Sequence, residues 1–232
     1  TGSASDKLAA LSAARKEVAA LAGPELSAGD DPVLVAVADA ARRFPLPLGA
    51  FDELIDGCEM DVHGTDYQTF DDLVGYCRRV AGSIGRLSLG VYGTADVDQA
   101  QPLADALGVA LQITNILRDV IEDRDEMSRI YLPVEDRKRF AVAPDLSGPV
   151  DGVLALITFE AGRAEDWYDQ GLALLPMLDW RSRACTAAMA GIYRRLLTRI
   201  QRDPGGVLRG RMSLPGREKA AVAVRALARG GA

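Results

Sequence analysis

The segment Ala106–Pro133 contains a regularly spaced set of polar side chains that could bind a metal ion. Gln112, Asn115, Asp119 and Asp123 are separated by three, four and four residues, so a helix would place all four on one face. Two carboxylates one turn apart, about 5–6 Å at Cβ, can share Mg²⁺ ions whose other sites take water and diphosphate oxygens. The pattern predicts a magnesium site that could bind a diphosphate and neutralise its charge as a leaving group.

The face beside these polar residues is apolar, and it comprises Val109, Ile113, Ile116 and Val120. A helix this apolar packs inside a bundle, so its amide and carboxylate side chains must face a polar cavity. Arg118 and Arg124 could pair with the diphosphate directly. The competing interpretation is a solvated acidic face with surface salt bridges such as Arg118–Glu122.

The rest of the chain supplies helices to surround this one. The composition is 48% hydrophobic and only 6% aromatic, which favours helices over sheets. Ser5 is a candidate cap for the first helix, and Gly23-Pro24 a candidate stop. We predict helices at Lys7–Leu21, Val33–Phe44, Leu48–Met60, Asp71–Tyr92, Leu103–Glu122 (opening at Asp98–Pro102), Asp151–Leu175, Arg181–Arg202 and Arg217–Ala228, with a loop at Phe140–Val150. This predicts a single all-α bundle of roughly eight helices.

The predicted helix Asp71–Tyr92 is unusual because it carries Gly82 and Gly85. Each glycine costs a helix about 1 kcal/mol relative to alanine, which indicates a close approach by a neighbouring helix or by a bulky apolar ligand. Tyr76 lies on the same predicted helix, one turn before Val80. Its phenol could take part in a proton transfer and its ring could face a carbocation, although a helical tyrosine is more often a core residue.

Charge and composition exclude several classes of function. The net charge of −6 argues against a nucleic-acid partner, and a single histidine, His63, argues against a histidine-based zinc site. Cys58, Cys77 and Cys185 lack CxxC spacing and indicate reduced thiols. With no evident signal peptide or membrane span, we expect a cytoplasmic protein. The Arg217–Arg229 segment would allow transient membrane contact as an interfacial helix, but an ordinary last helix is the favoured interpretation. The oligomeric state stays open.

Three segments resemble the squalene/phytoene synthase family of head-to-head prenyl synthases: Leu54–Asp61, Tyr76–Gly82 and Ala110–Pro133. The third is the most specific, because its Gln, Asn, Arg-Asp and Glu-Asp positions are followed by Tyr131-Leu132-Pro133, as in the family. The residues of the first segment look most similar to those of bacterial hopanoid-associated presqualene diphosphate synthases. The likeness extends over essentially the whole chain.

The resemblance implies an all-α isoprenoid-synthase fold in which two Asp-rich motifs hold Mg²⁺ at the mouth of a deep cavity. Asp119 and Asp123 correspond to the second motif, and Asn115 is a further metal-site residue. The resemblance implies a catalytic role for Tyr76 in proton removal or cation stabilisation, and it places Asp61 at the site. The implied substrate-binding residues are Gln112, Asn115, Arg118, Tyr193 and Arg211; a core tyrosine and a solvated arginine are the alternatives for the last two.

Two departures from the family pattern affect these expectations. Ser128 replaces a glycine, in a segment lengthened by Asp125–Met127, so that loop is expected to differ in shape. The first Asp-rich motif should lie on a helix before Asp6–Val18, where the sequence has nothing comparable. We expect 1–232 to be one isoprenoid-synthase domain that lacks about sixty N-terminal residues, a length set by typical helices in such bundles.

The reaction expected from the resemblance joins two farnesyl diphosphates into presqualene diphosphate, with Mg²⁺ (or Mn²⁺) as the cofactor. No GxGxxG follows a strand, so no nicotinamide cofactor is expected. The nearest alternative is a phytoene synthase that condenses two geranylgeranyl diphosphates. A non-catalytic helical partner and a head-to-tail synthase or terpene cyclase also remain open.

Overall fold

The fold was examined in a computed structural model that describes residues 2–21, 23 and 31–230. Every regular element in these ranges is helical, which confirms the predicted all-α class. The helices are α1 (Ala4–Ala20), α2 (Pro32–Arg43), α3 (Gly49–His63), α4 (Phe70–Cys77), α5 (Ser83–Tyr92), α6 (Val97–Met127), α7 (Val134–Arg139), α8 (Val150–Gly171), α9 (Trp180–Arg202) and α10 (Gly216–Gly230). No helix within them is long and apolar enough to cross a bilayer.

The predicted helices agree with these bounds to within a few residues, with informative exceptions. Ser3, rather than Ser5, caps α1: its hydroxyl accepts from the Asp6 backbone N–H, and the Asp6 carboxylate accepts from Ser3 in return. The candidate stop at Pro24 lies outside the described residues. Helix α7 and the 3₁₀ turn Pro204–Arg209 were not predicted, because segments this short carry no apolar period.

Helix α6 is the centre of the bundle. Its apolar face is almost completely buried, as predicted, and packs against α8 and α9. The core around it also contains Leu156, Ile157 and Leu197, all fully buried. Helix α10 packs along α9 at the periphery, with Val224 and Leu227 exposed. An interior helix with polar residues on its remaining face is the arrangement that the candidate site requires.

The glycines of α5 and α6 allow these two helices to cross closely. A Cβ on Gly108 would lie 2.7 Å from the backbone N of Gly82, and one on Gly85 would lie 2.8 Å from the carbonyl oxygen of Ala104. Close helix packing therefore accounts for Gly82 and Gly85. The contacts also show that the two helices run antiparallel, because residue numbers rise along one as they fall along the other.

The chain from Phe70 to Tyr92 forms one rod with a π-helical turn at Arg78–Gly82. In this turn the Ser83 N–H bonds to the Arg78 carbonyl oxygen, and the Ser83 hydroxyl donates to the Arg79 carbonyl oxygen. Such turns insert a residue into a helix and are frequent at functional sites. The sequence predicted an uninterrupted helix here, since a π turn has no apolar period of its own.

Candidate active site

An apolar groove of about 310 Å³ runs between the π turn and α5 on one side and α9 on the other, with α6 as its floor. Val80, Ile84, Leu111 and Met189 are among the apolar side chains that line it. From Ala104 to Asn115 the floor extends over about 16 Å at the helical rise of 1.5 Å per residue. The groove has the shape and polarity to hold an extended hydrocarbon chain.

One end of the groove is polar. Gln112 and Asn115 line it from α6 and Tyr193 lines it from α9. Asn115 Oδ1 is buried and has no hydrogen-bond partner, so it is available to a ligand or a water molecule. Asp119 and Asp123 continue this face one and two turns further along α6. The structure thus brings together the four polar residues that the spacing placed on one helical face.

Two arginines flank the acidic pair. Arg118 forms a bidentate ion pair with Asp119, and Arg211 Nε lies 3.1 Å from Asp119 Oδ1. The hydrogen bonds to Asp119 are the main reason that the pKa of Arg118 is raised. A hydrogen bond to the Tyr193 hydroxyl raises this pKa further. Arg211 also lies 3.8 Å from Glu122 and is more than half exposed. These cations are positioned to contact a diphosphate that reaches the end of the groove.

Asp123 is buried in an environment that disfavours its negative charge. Burial is the largest cause that raises its pKa, to about 6; the charges of Asp119, Glu122 and Asp61 contribute to this value, and Arg129 opposes them. A carboxylate surrounded by other carboxylates is stabilised when a cation binds between them.

Asp61, at the end of α3, is held by residues from two other segments. Tyr76 donates to its Oδ2 over 3.2 Å, and Tyr131 donates to its Oδ1 over 3.0 Å. Arg129 donates to the Asp61 backbone carbonyl oxygen over 2.8 Å. The rings of Tyr76 and Tyr131 stack at 5.3 Å, and Tyr67 packs against both. This tyrosine–aspartate cluster joins α3, α4 and the segment after α6.

The structure places the predicted residues in two adjoining groups. Gln112, Asn115 and Tyr193 line the groove, with Asp119, Asp123, Arg118 and Arg211 at its polar end. Tyr76 and Asp61 belong to the tyrosine–aspartate cluster, and Asp61 lines a separate polar cleft of about 420 Å³. Arg124 lines that cleft too and pairs with Asp125. The catalytic and binding roles stay predictions.

Sequence reasoning assigned no role to Arg129 and Tyr131. They follow Asp123 closely in the chain, and Tyr131 belongs to the Tyr131-Leu132-Pro133 motif of the family resemblance. Neither signal identifies their partner, because Asp61 is about seventy residues away. Ser128, just before them, adopts φ of +54°, a left-handed conformation that glycine adopts without strain. This explains why a glycine was expected at Ser128, and the turn redirects the chain toward Asp61.

The oxygen donors fit a divalent cation of the magnesium type. Mg²⁺ is commonly bound by one or two carboxylates together with waters and substrate phosphates. Asp119, Asp123 and the unpartnered Oδ1 of Asn115 provide such a set on one helix. In the described part of the chain no three acidic, histidine or cysteine side chains form a complete metal site. Within the described residues this set is incomplete, and water and diphosphate oxygens are among the ligands that would complete it.

An all-α bundle with paired carboxylates and arginines at the polar end of an apolar groove has the architecture of the isoprenoid synthases. A sequence profile of the family described as squalene/phytoene synthase matches residues 1–218. The chain belongs to the squalene/phytoene synthase family of prenyltransferase enzymes.

Named relatives are similar over most of this chain. The phytoene synthases of Mycobacterium bovis and Mycobacterium tuberculosis are each 47% identical to it over 228 residues, which is 96% of this chain and 73% of theirs. A phytoene synthase of Arthrospira platensis is 40% identical over 204 residues, covering 80% of this chain and 64% of its own.

Solved structures show the same fold. A dehydrosqualene synthase in complex with a ligand superposes with a TM-score of 0.87 at 28% identity, covering 97% of this chain and 79% of that one. The squalene synthase HpnC from Alicyclobacillus acidocaldarius superposes with a TM-score of 0.77 at 30% identity, covering 84% and 73%. The isoprenoid-synthase fold and the family resemblance are thereby confirmed. The mycobacterial relatives favour a phytoene synthase over the farnesyl-specific enzyme that was the first expectation.

Proposed function

We propose that this protein condenses two molecules of geranylgeranyl diphosphate head to head, the reaction of a phytoene synthase. The observation that carries the proposal is the groove itself, whose apolar length leads directly to Asn115, Asp119 and their arginines. The names of the mycobacterial relatives support the twenty-carbon substrate. Condensation of farnesyl diphosphate is the second candidate, supported by the structural similarity to HpnC and the dehydrosqualene synthase.

In this proposal the first step is the departure of one diphosphate. Asp119, Asp123 and Asn115 would hold Mg²⁺, which would neutralise the diphosphate charge as the allylic C–O bond breaks. Arg118 and Arg211 orient the leaving group. The apolar groove walls exclude water, which would otherwise capture the allylic cation.

Carbon–carbon bond formation follows. The electron pair of the second molecule's allylic double bond forms the new bond, and loss of one proton closes a cyclopropane ring. Departure of the second diphosphate and loss of a second proton then give the hydrocarbon without a change in overall oxidation state, so no reductant is required. We assign acceptance of the first proton to the tyrosine–aspartate cluster: the Tyr76 oxygen takes it while its own proton passes to Asp61 Oδ2, 3.2 Å away. A departed diphosphate takes the second proton.

The test is incubation of the protein with farnesyl and geranylgeranyl diphosphates, with Mg²⁺ or with a chelator, and identification of products by mass. We expect a forty-carbon hydrocarbon from the twenty-carbon substrate and no product with the chelator. Head-to-tail products, or a clear preference for farnesyl diphosphate, would contradict the proposal.

Variants connect this activity with the acidic pair. Asp119→Asn and Asp123→Asn are expected to lower kcat by about 100-fold or more, because each removes charge at the ionisation site. Asp125→Asn is the matched control, since Asp125 lies on the same helix but is exposed and paired with Arg124. The proposed metal site would be wrong if D125N were as inactive as the other two variants.

A further inference from the structure

Positive charge is concentrated in one part of this acidic protein. Residues 180–232 contain 12 Lys and Arg against 2 Asp and Glu, whereas residues 1–179 contain 15 against 31. The basic stretch includes α10 and also α9, whose six arginines have no acidic residue among them. Such an asymmetry of charge is typical of proteins that bind a polyanion or an anionic membrane.

Helix α10 carries an exposed apolar strip in the middle of this positive charge. Val224 and Leu227 are 64% and 58% exposed and lie one turn apart on the same face of the helix. The strip continues through three exposed alanines, Ala220, Ala221 and Ala228. The other face of α10 holds the helix to the bundle, because Ala226 is buried and Val222 lies against Gly191 of α9. The exposed strip is therefore not what fixes α10 in the fold.

Cationic side chains flank the apolar strip. Three of them are exposed on α10 itself: Arg217, Lys219 and Arg225. Arg225 and Arg195 also line a cleft of about 400 Å³ between α9 and α10. Glu218 is the one acidic residue of α10, and it pairs with both Arg195 and Arg199. Because one carboxylate faces two arginines, this surface keeps a net positive charge.

We propose that the exposed face of α10, with Val224 and Leu227 at its centre, docks onto an anionic lipid bilayer. The two apolar side chains enter the boundary between headgroups and acyl chains, and Arg225 and Arg195 contact lipid phosphates. A second copy of the chain fits less well, because two faces of the same charge repel each other. A nucleic acid would pair with the cations but leave the apolar strip without a partner.

The test is co-sedimentation of the purified protein with lipid vesicles in the absence of prenyl diphosphates. One set of vesicles is phosphatidylcholine alone, and the other is phosphatidylcholine mixed with phosphatidylglycerol. We expect binding to the mixed vesicles only, and we expect it to weaken as salt is raised, because surface charges are then screened. Equal binding to both sets, or binding to neither, would overturn the inference. Lipid binding measured in this way is independent of the proposed reaction.

Matched variants locate the binding face. Val224→Gln and Val33→Gln change two valines that are 64% and 68% exposed on different helices. V224Q should weaken binding to the mixed vesicles about tenfold, because an apolar contact is lost, and V33Q should leave it unchanged. Arg225→Gln should weaken binding about fivefold. Its control is Arg42→Gln, an exposed arginine of α2, which should bind as the wild type does.

The same variants distinguish a bilayer from other occupants. A loss of binding in R225Q without one in V224Q would indicate a purely ionic surface, as for a nucleic acid, and would overturn the bilayer. Light scattering of the lipid-free protein tests the second copy: a dimer that V224Q converts to a monomer would assign the face to self-association instead. A loss in V33Q as large as that in V224Q would also contradict the proposal.

Discussion

The hydroxyl of Tyr131 donates to Asp61 Oδ1 over 3.0 Å, and this bond joins the segment after α6 to the end of α3. The hydroxyl of Tyr76 donates to the other carboxylate oxygen, so both oxygens of Asp61 accept a hydrogen bond from a tyrosine. Asp61 and Tyr131 both line the polar cleft, and their bond connects the segment that follows the acidic helix α6 with the proposed proton acceptor. Four consequences of the structure can be measured.

Tyr131→Phe removes one of the two phenol donors to Asp61. A hydrogen bond to a charged group contributes about 1.5–3 kcal/mol, so we expect a comparable loss in the free energy of unfolding. We also expect about a tenfold lower kcat, because Asp61 is then less firmly positioned. Tyr168→Phe is the control, as it removes a contact to Thr114 Oγ1 at 3.2 Å elsewhere in the core. Equal kcat values in Y131F and Y168F would refute the positioning role.

Arg211→Ala tests the cation at the polar end of the groove. Its guanidinium is largely exposed and bridges Asp119 and Glu122. Exposed ion pairs contribute little to stability, roughly 0–1 kcal/mol, so the unfolding free energy should hardly change. KM for the prenyl diphosphate should rise about tenfold, because a charge-assisted contact to the diphosphate is lost. Arg209→Ala, which breaks the exposed pair with Asp203, should leave KM unchanged; a rise in both variants would argue against a specific contact.

Gly108→Ala tests the close crossing of α6 over the π turn that leads into α5. Its new methyl group would meet backbone atoms of Ala81 and Gly82 at 2.7–2.8 Å, so we expect a loss of about 1–3 kcal/mol in the free energy of unfolding. Gly162→Ala has no atom within 4 Å of the new group and lies inside α8, where alanine is favoured by about 1 kcal/mol. Urea unfolding of the two variants should give shifts of opposite sign, and shifts of the same sign would contradict this account of the crossing.

Glu160→Gln tests a buried titrating group. Burial raises the pKa of Glu160 to about 8, against the attraction of Arg163, whose Nη1 lies 3.2 Å away. The folded state therefore holds this proton more tightly than the unfolded state. The stabilisation that comes from this proton is complete at pH values below about 4.3, the pKa of a glutamate in the unfolded chain. It is lost as the pH rises toward 8, the pKa in the folded protein.

Unfolding free energies at about pH 5 and pH 8 measure this effect. E160Q should lose less stability than the wild type over that interval, because its amide does not titrate. Glu165→Gln is the control. Glu165 lies on the same helix as Glu160 and pairs with Arg194, and its variant should show the wild-type pH dependence of the unfolding free energy. An identical loss in E160Q and the wild type would contradict the assignment.

The sequence by itself determined the helical class and the acidic face of α6. Both follow from local rules, because helical periodicity places Gln112, Asn115, Asp119 and Asp123 on one face whatever surrounds them. The apolar face of α6 was predictable for the same reason, and its nearly complete burial confirms it.

The tertiary structure alone decided which distant residues meet. The partners of Asp61, the arginine beside Asp119 and the walls of the groove all depend on how helices cross. That arginine belongs to a segment about ninety residues later in the chain. Gly108 illustrates the reason: it shows no pattern in the sequence, yet its missing side chain permits the approach of α5 to α6 that shapes the groove. Residue spacing specifies neighbours along one helix, whereas contacts between helices depend on the packing of all of them together.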